Sequence, residues 1–441
     1  MLNRQAHKPI VIDIYLEDIF RQNPHLDHRD RGFIVNLVQG ALRWRRRFDW
    51  IIEQTSDFPL KKISLPVLNI LRLALYQIFF MDRVPESAAV NEAVNQAKKE
   101  GARHVVPFVN GILRNVCRAK KEINFPDPDT NPVQFLSVFY SYPEWLVNKW
   151  LKEWGREFTE ELLAAGNQIP VLTIRTNRLK LSRSALIKRF AEEGIEGHPT
   201  PYSPDGVLLV NFKGRVDESI SFKHGLFQVQ DQAAQTTSHI LNPQPGQTIL
   251  DVCAGRGGKS THLAELMADK GQVLALDISH RRLLSLVKNI KRLTITNVRP
   301  IVANASMSLS SLFRNKFDGI LIDAPCSGLG VLSRHPDGKW NKKEEDVRRL
   351  TFIQKSILKE TVPLLKPGGK MLYITCTISK EENEDMVQGC LAAHKDLRLE
   401  NIKDHIPAWG LSLVDESGFL RTFPNEHDMD GFFAALFIKR K

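Results

Sequence analysis

The spacing of apolar positions divides the chain into three stretches. The first third repeats at helical period. From Glu86, residues Ala89, Val90, Ala93, Val94 and Ala97 share one face, and Gly101 follows as a stop signal. Residues 63–80 predict a helix with a broad apolar face started near Pro66, and 105–116 predict another bearing Phe108, Val109, Ile112, Leu113 and Val116. Strand alternation and Gly-rich turns are scarce, so residues 1–130 are predicted to form an all-α domain ending at the linker-like Phe125-Pro126-Asp127-Pro128-Asp129. Residues 131–220 read as a small α+β module: 171–177 alternate in the β manner, 184–193 read as a helix and 207–212 as a strand. From 221 to 441, strands (248–252, 271–277, 317–323, 370–377) alternate with helical patterns. That alternation predicts a doubly wound α/β sheet of the Rossmann-like kind.

Composition narrows the function classes. A chain of 441 residues, 42% hydrophobic and 25% charged, is long enough for two to four domains with full cores. Its most apolar stretch, 63–80, is interrupted by Pro66, Asn69 and Arg72, so no membrane partner is expected. Asp13, Glu17 and Asp18 break up the start as a signal peptide. The net charge of +11 divides into +5 over 1–130, 0 over 131–220 and +6 over 221–441. Such an excess fits either a solvated surface or a polyanionic partner touching both ends. The densest basic run, Arg43-Trp44-Arg45-Arg46-Arg47, suits phosphate contact with base stacking; the alternative is an exposed helix face with its Trp residues turned inward. Five cysteines (Cys117, Cys253, Cys326, Cys376, Cys390) without a Cys-x-x-Cys pair argue against disulfides and structural metal, and for a cytoplasmic location.

The candidate chemistry lies in the α/β part. After the strand ending at Val252 comes Cys253-Ala254-Gly255-Arg256-Gly257-Gly258-Lys259-Ser260, and the next strand ends in Asp277, 20 residues after Gly257. Glycines permit close backbone approach, and an acid at the second strand's end suits a ribose diol. A P-loop would need Gly at 253, and a dinucleotide fingerprint would need Gly at 260; both fail, which favours S-adenosylmethionine over NAD. The other two strands end in Asp323-Ala324-Pro325-Cys326-Ser327-Gly328 and Thr375-Cys376-Thr377. Each sets a thiol where open α/β sheets bind ligands. Ser379-Lys380-Glu381-Glu382 reads as a capping box opening a helix whose positive end would help hold a thiolate. Cys117 and Cys390 read as structural, and Cys253 as a pocket neighbour.

These three motifs resemble the signatures of RNA cytosine-C5 methyltransferases. Gln230-Asp231-Gln232-Ala233-Ala234-Gln235 and Met429-Asp430-Gly431-Phe432-Phe433 extend the likeness. Ala89-Val90-Asn91-Glu92-Ala93-Val94 and 108–115 are similar to the NusB-like RNA-binding domain. The pairing resembles the bacterial Fmu/Sun type, whose members are named 16S rRNA (cytosine(967)-C(5))-methyltransferases. The resemblance implies a monomeric, metal-free enzyme acting on 16S ribosomal RNA with S-adenosylmethionine. It makes Cys376 the nucleophile that adds to cytosine C6, Cys326 the thiol that assists release, and Asp323 the contact to the base's N3/N4 edge. It further implies that residues 253–259 (Cys253, Ala254, Gly255, Arg256, Gly257, Gly258, Lys259), with Asp277, Asn304 and Asp323, hold the cofactor. Asn304 stands where the family commonly has Asp, and Gly255-Arg256 where it usually has Ala-Pro. The rival readings are a DNA cytosine-C5 methyltransferase, which would not need the Thr-Cys thiol, an amino-group methyltransferase, and a non-catalytic RNA-binding assembly factor.

Overall fold

The computed structural model describes residues 2–5, 12–100, 104–120, 122–210, 212, 214–313 and 316–441. It divides into two compact units, residues 1–168 with 332–344, and residues 169–331 with 345–441.

The first unit is helical among its described residues. The predicted periods appear as helices Leu65–Phe80, Glu86–Lys99 and Val105–Ala119; Gly101 lies outside the described residues. Ala89, Ala93 and Ala97 face a core with Leu71, Leu75, Val109 and Leu113, where small side chains let the helices approach closely. The unit does not stop at the linker-like 125–129. Helices Pro132–Phe139, Glu144–Trp154 and Arg156–Ala165 belong to it, so the neutral middle stretch is split between the units. It also incorporates 332–344, a segment from the far half of the chain. Lys339 there is fully buried, its ammonium reaching Asn167 Oδ1 at 2.6 Å and the Arg43 and Ser141 carbonyls at 3.3 Å.

The second unit holds two sheets. A four-stranded antiparallel sheet, ordered β2-β3-β1-β4, comprises β1 (Leu172–Thr176), β2 (Glu196–Pro199), β3 (Gly206–Val210) and β4 (Phe227–Val229). The larger sheet contains β5 (Thr248–Val252), β6 (Gln272–Asp277), β7 (Val298–Val302), β8 (Phe317–Asp323), β9 (Leu365–Thr375), β10 (Leu397–Glu400), β11 (Leu420–Arg421) and β12 (Phe433–Lys439). Its main order is β10-β12-β9-β8-β5-β6-β7, with β11 beside β12. Strands β5 to β9 pair in parallel, while β12 runs antiparallel between β9 and β10. Continuous runs such as Ile320-Leu321-Ile322 suit strands covered on both faces, and separate apolar clusters occupy the two sides. Strand order reverses between β5 and β8, so a crevice opens at their carboxyl ends.

Candidate active site

The motif residues converge at that crevice. Cys253 follows β5 in a left-handed conformation (φ 64°) and leads into the glycine turn. Gly257 (φ 80°) is obligatory: a Cβ there would lie 2.0 Å from Leu286 Cδ1. Gly255 (φ 59°) faces open space instead, its nearest would-be neighbour being the Cys253 carbonyl at 3.9 Å. The Asp277 carboxylate fixes the turn by accepting from Gly255 N at 2.8 Å, and it also accepts from Ser279 N at 2.7 Å. Beyond Asp277, Ile278 is 67% exposed, and Val302, paired with Asp277 across β6 and β7, is 55% exposed. Sequence reading missed these two apolar side chains. Their signal is an unburied β-branched residue at a strand's carboxyl end. Open space at Gly255, a carboxylate and apolar neighbours suit a nucleoside with an amino-acid tail.

The two thiols meet. Cys326 Sγ and Cys376 Sγ are 3.2 Å apart, and Cys376 N donates to Cys326 Sγ at 3.3 Å. The hydrogen bond to Cys376, burial and the neighbouring charges of Cys376 and Glu382 push the Cys326 thiol well up. Next to them Lys259 Nζ pairs with Asp323 Oδ2 at 2.7 Å. Burial opposes the ammonium, but Asp323 and Asp251 outweigh it and Lys259 is held charged. Asp251, buried with only the Ser260 hydroxyl on it, is pushed up to about 7, chiefly by desolvation. The closing motif reaches the same place. Gly431 N donates to Gly330 O at 2.8 Å, and a Cβ on Gly330 would sit 2.0 Å from the Gly431 carbonyl oxygen. Phe432 lies beneath Lys259 Nζ, 5.3 Å from its ring centre.

A family model described as 16S rRNA methyltransferase RsmB/F matches residues 238–438, one described as the NusB family matches 3–118, and a ferredoxin-like domain of RsmF/B-like methyltransferases matches 142–215. The chain is 37% identical to a probable ribosomal RNA small subunit methyltransferase B of Synechocystis, covering 96% of this chain and 94% of that one. To the Bacillus subtilis protein of the same name it is 34% identical, covering 97% and 94%. The chain belongs to the ribosomal RNA small subunit methyltransferase B family. Among solved structures it is similar to a methyltransferase homologue from Pyrococcus horikoshii, 27% identical with a TM-score of 0.61, covering 70% of this chain and 99% of that one. The expected fold therefore stands: a helical NusB domain, a small middle domain and an α/β methyltransferase domain.

Within this family member, two expectations are corrected by geometry. Arg43–Arg47 do not form an open cationic patch. Arg43 is 4% exposed and donates to Ser333 O at 2.6 Å. Arg47 sits among the rings of Trp44, Phe125 and Phe139 at 4.9–5.4 Å, Arg45 lies over Trp340, and Arg46 lies near Glu53 and Glu144. These guanidiniums serve packing inside the helical unit. The capping box is also absent: Lys380–Glu382 forms a short 3-10 turn on which Ser379 makes no side-chain cap, the next helix spans Glu384–Ala393, and the Glu382 carboxylate is engaged by Ser327. No α-helix therefore begins at Ser379 to steady a thiolate. Asn304 Oδ1 accepts from Ser306 N and Oγ at 3.0 and 2.8 Å.

Arg256 is exposed, away from the buried face of the turn. Burial and surrounding carboxylates push the Cys253 thiol up, which disfavours its thiolate. Burial pushes Cys390 up to about 12 and also raises Cys117. Asp205, His239 and His262 bring ligand-type atoms within 4.8 Å of one another. Arg178 Nε lies 3.5 Å from that carboxylate and Arg175 acts on His262, positive charge that opposes a bound cation. No described helix is long and apolar enough to cross a membrane.

Proposed function

We propose that this chain methylates C5 of a cytosine in 16S ribosomal RNA through a covalent thiol adduct, using S-adenosylmethionine. The reading is carried by two thiols 3.2 Å apart on the turns after adjacent parallel strands, beside the Lys259–Asp323 ion pair. Cytosine C5 is too weak a nucleophile to be methylated directly. Addition of the Cys376 thiolate to C6 makes the ring an enamine with electron density on C5. Asp323 accepts from the exocyclic amine of the base, and Lys259 orients that carboxylate. When bound, S-adenosylmethionine supplies an electrophilic methyl group. The 253–259 turn, Asp277 and Asn304 would hold it. The C5 proton is then lost to solvent, the C5=C6 bond re-forms and Cys376 leaves as thiolate, its departing sulfur accepting a hydrogen bond from the neighbouring Cys326 thiol.

The division of labour follows from the coupling of the thiols. While Cys376 is free, its hydrogen bond and charge keep Cys326 protonated. Burial and the Glu382 charge persist once Cys376 is a neutral thioether, so Cys326 stays a thiol able to donate to the departing sulfur. Cys326→Ala should therefore stall the reaction after addition, and a covalent protein–RNA species should accumulate on a denaturing gel. Its absence with 16S RNA fragments, while methylation continues at the wild-type rate, would remove the release role. Parallel incubation with DNA separates the two polymer classes.

Asp277 gives an independent check. Asp277→Ala removes an ionised acceptor and frees Gly255 N, and should weaken S-adenosylmethionine binding by about 1.5–3 kcal/mol in calorimetry. Unchanged affinity would displace the cofactor from this turn.

A further inference from the structure

Cys326 and Cys376 stand on separate turns after β8 and β9, so something must set their spacing. Two consecutive buried residues touch both turns from behind. The Glu382 carboxylate accepts from Ser327 N at 2.8 Å and from the Ser327 hydroxyl, next to Cys326. Asn383 Oδ1 accepts from Thr375 Oγ1 at 2.6 Å and its amide donates to Thr377 O at 2.9 Å, on either side of Cys376. Between the turns, Ser327 Oγ and Thr377 Oγ1 are 2.8 Å apart. Gln354 backs the assembly, its amide lying 3.1 Å from Glu382 Oε1 and 3.0 Å from Pro325 O.

We propose that Glu382 and Asn383 form a positioning clamp that sets the distance between the two thiols. Its catalytic consequence rests on the cytosine-C5 reading above; its geometric consequence does not. A carboxylate is required at 382 because three donors converge on it and it carries none of its own. Gln at 382 keeps one acceptor, and the Ser327 hydroxyl can rotate to accept from the new amide, so Glu382→Gln should retain part of the function. At 383 an amide is required, since one side meets a hydroxyl donor and the other a carbonyl.

The test reads spacing and turnover separately on the full chain. Diamide takes up two electrons and two protons as Cys326 and Cys376 join in one disulfide, and peptide mass spectrometry follows the rate. Glu382→Ala and Asn383→Ala are expected to slow disulfide formation about tenfold or more. They should lower kcat about a hundredfold, with the RNA KM and S-adenosylmethionine affinity changed less than about threefold. Glu382→Gln should recover part of both rates. If the alanine variants fail to fold, Glu382→Gln and Asn383→Asp are read by the same two rates. Wild-type disulfide and turnover rates in folded variants overturn the clamp. A slowed disulfide in variants of a chain that does not methylate cytosine C5 upholds the clamp and overturns the reaction.

Discussion

Cys376→Ala should lower methyl transfer to RNA by about four orders of magnitude or more, the scale on which removal of a covalent nucleophile is felt. S-Adenosylmethionine affinity should stay within about threefold, because the Cys376 thiol pairs with Cys326 and lies outside the 253–259 turn. Labelled methyl transfer measures the first and calorimetry the second. No neighbouring thiol takes over in this variant. Burial and the Glu382 charge still raise Cys326 after the Cys376 hydrogen bond is gone, and Cys253 is raised by burial and three carboxylates. Cys376→Ser should be nearly as inactive, since a hydroxyl is far less acidic than a thiol. A Cys376→Ala chain that methylates at the wild-type rate would abolish the nucleophile assignment. No covalent adduct should form in Cys376→Ala/Cys326→Ala, in contrast to Cys326→Ala alone.

The catalytic half was legible because its chemistry sits at strand ends, where local sequence determines both the strand and the turn after it. Asp277, Asp323, Cys326 and Cys376 each close an apolar run, and parallel pairing then brings the runs together. What stayed hidden depends on partners far along the chain. Glu382 fits a capping box by spacing alone, yet its partner Ser327 lies 55 residues earlier in the chain. The basic run at 43–47 reads as a surface until Phe125, Phe139 and Ser333 are seen around it. The stretch 131–220 carries no motif, and its helical part packs with the first unit for reasons visible only in contacts such as Asn167 with Lys339. The same stretch contains Arg175, whose importance no local pattern announces.

Arg175 carries the other large expected effect, on stability. It lies on β1 with its side chain wholly inaccessible, paired with the equally buried Glu265 at 2.7 Å, 90 residues away. It also donates to Gly258 O at 2.7 Å and reaches Thr261 Oγ1 at 3.1 Å and Gln230 Oε1. The small sheet is thus tied to the helix Gly258–Leu266, which begins at the glycine turn. Replacing Arg175 with Met leaves Glu265 desolvated without its cation, and burial already raises that carboxyl even in the pair. Removal of one partner from a buried pair costs about 3–5 kcal/mol. Arg175→Met should show a loss of that size in urea unfolding, together with weaker S-adenosylmethionine binding because the Gly258 carbonyl loses its donor. The double variant Arg175→Met/Glu265→Leu should regain most of the stability, since two apolar side chains of similar volume need no solvation. It should not regain the affinity, because the donor to the turn stays absent. A single variant within about 1 kcal/mol of wild type, or a double variant no more stable than Arg175→Met, would show that the ion pair is not what anchors the glycine turn to the small sheet.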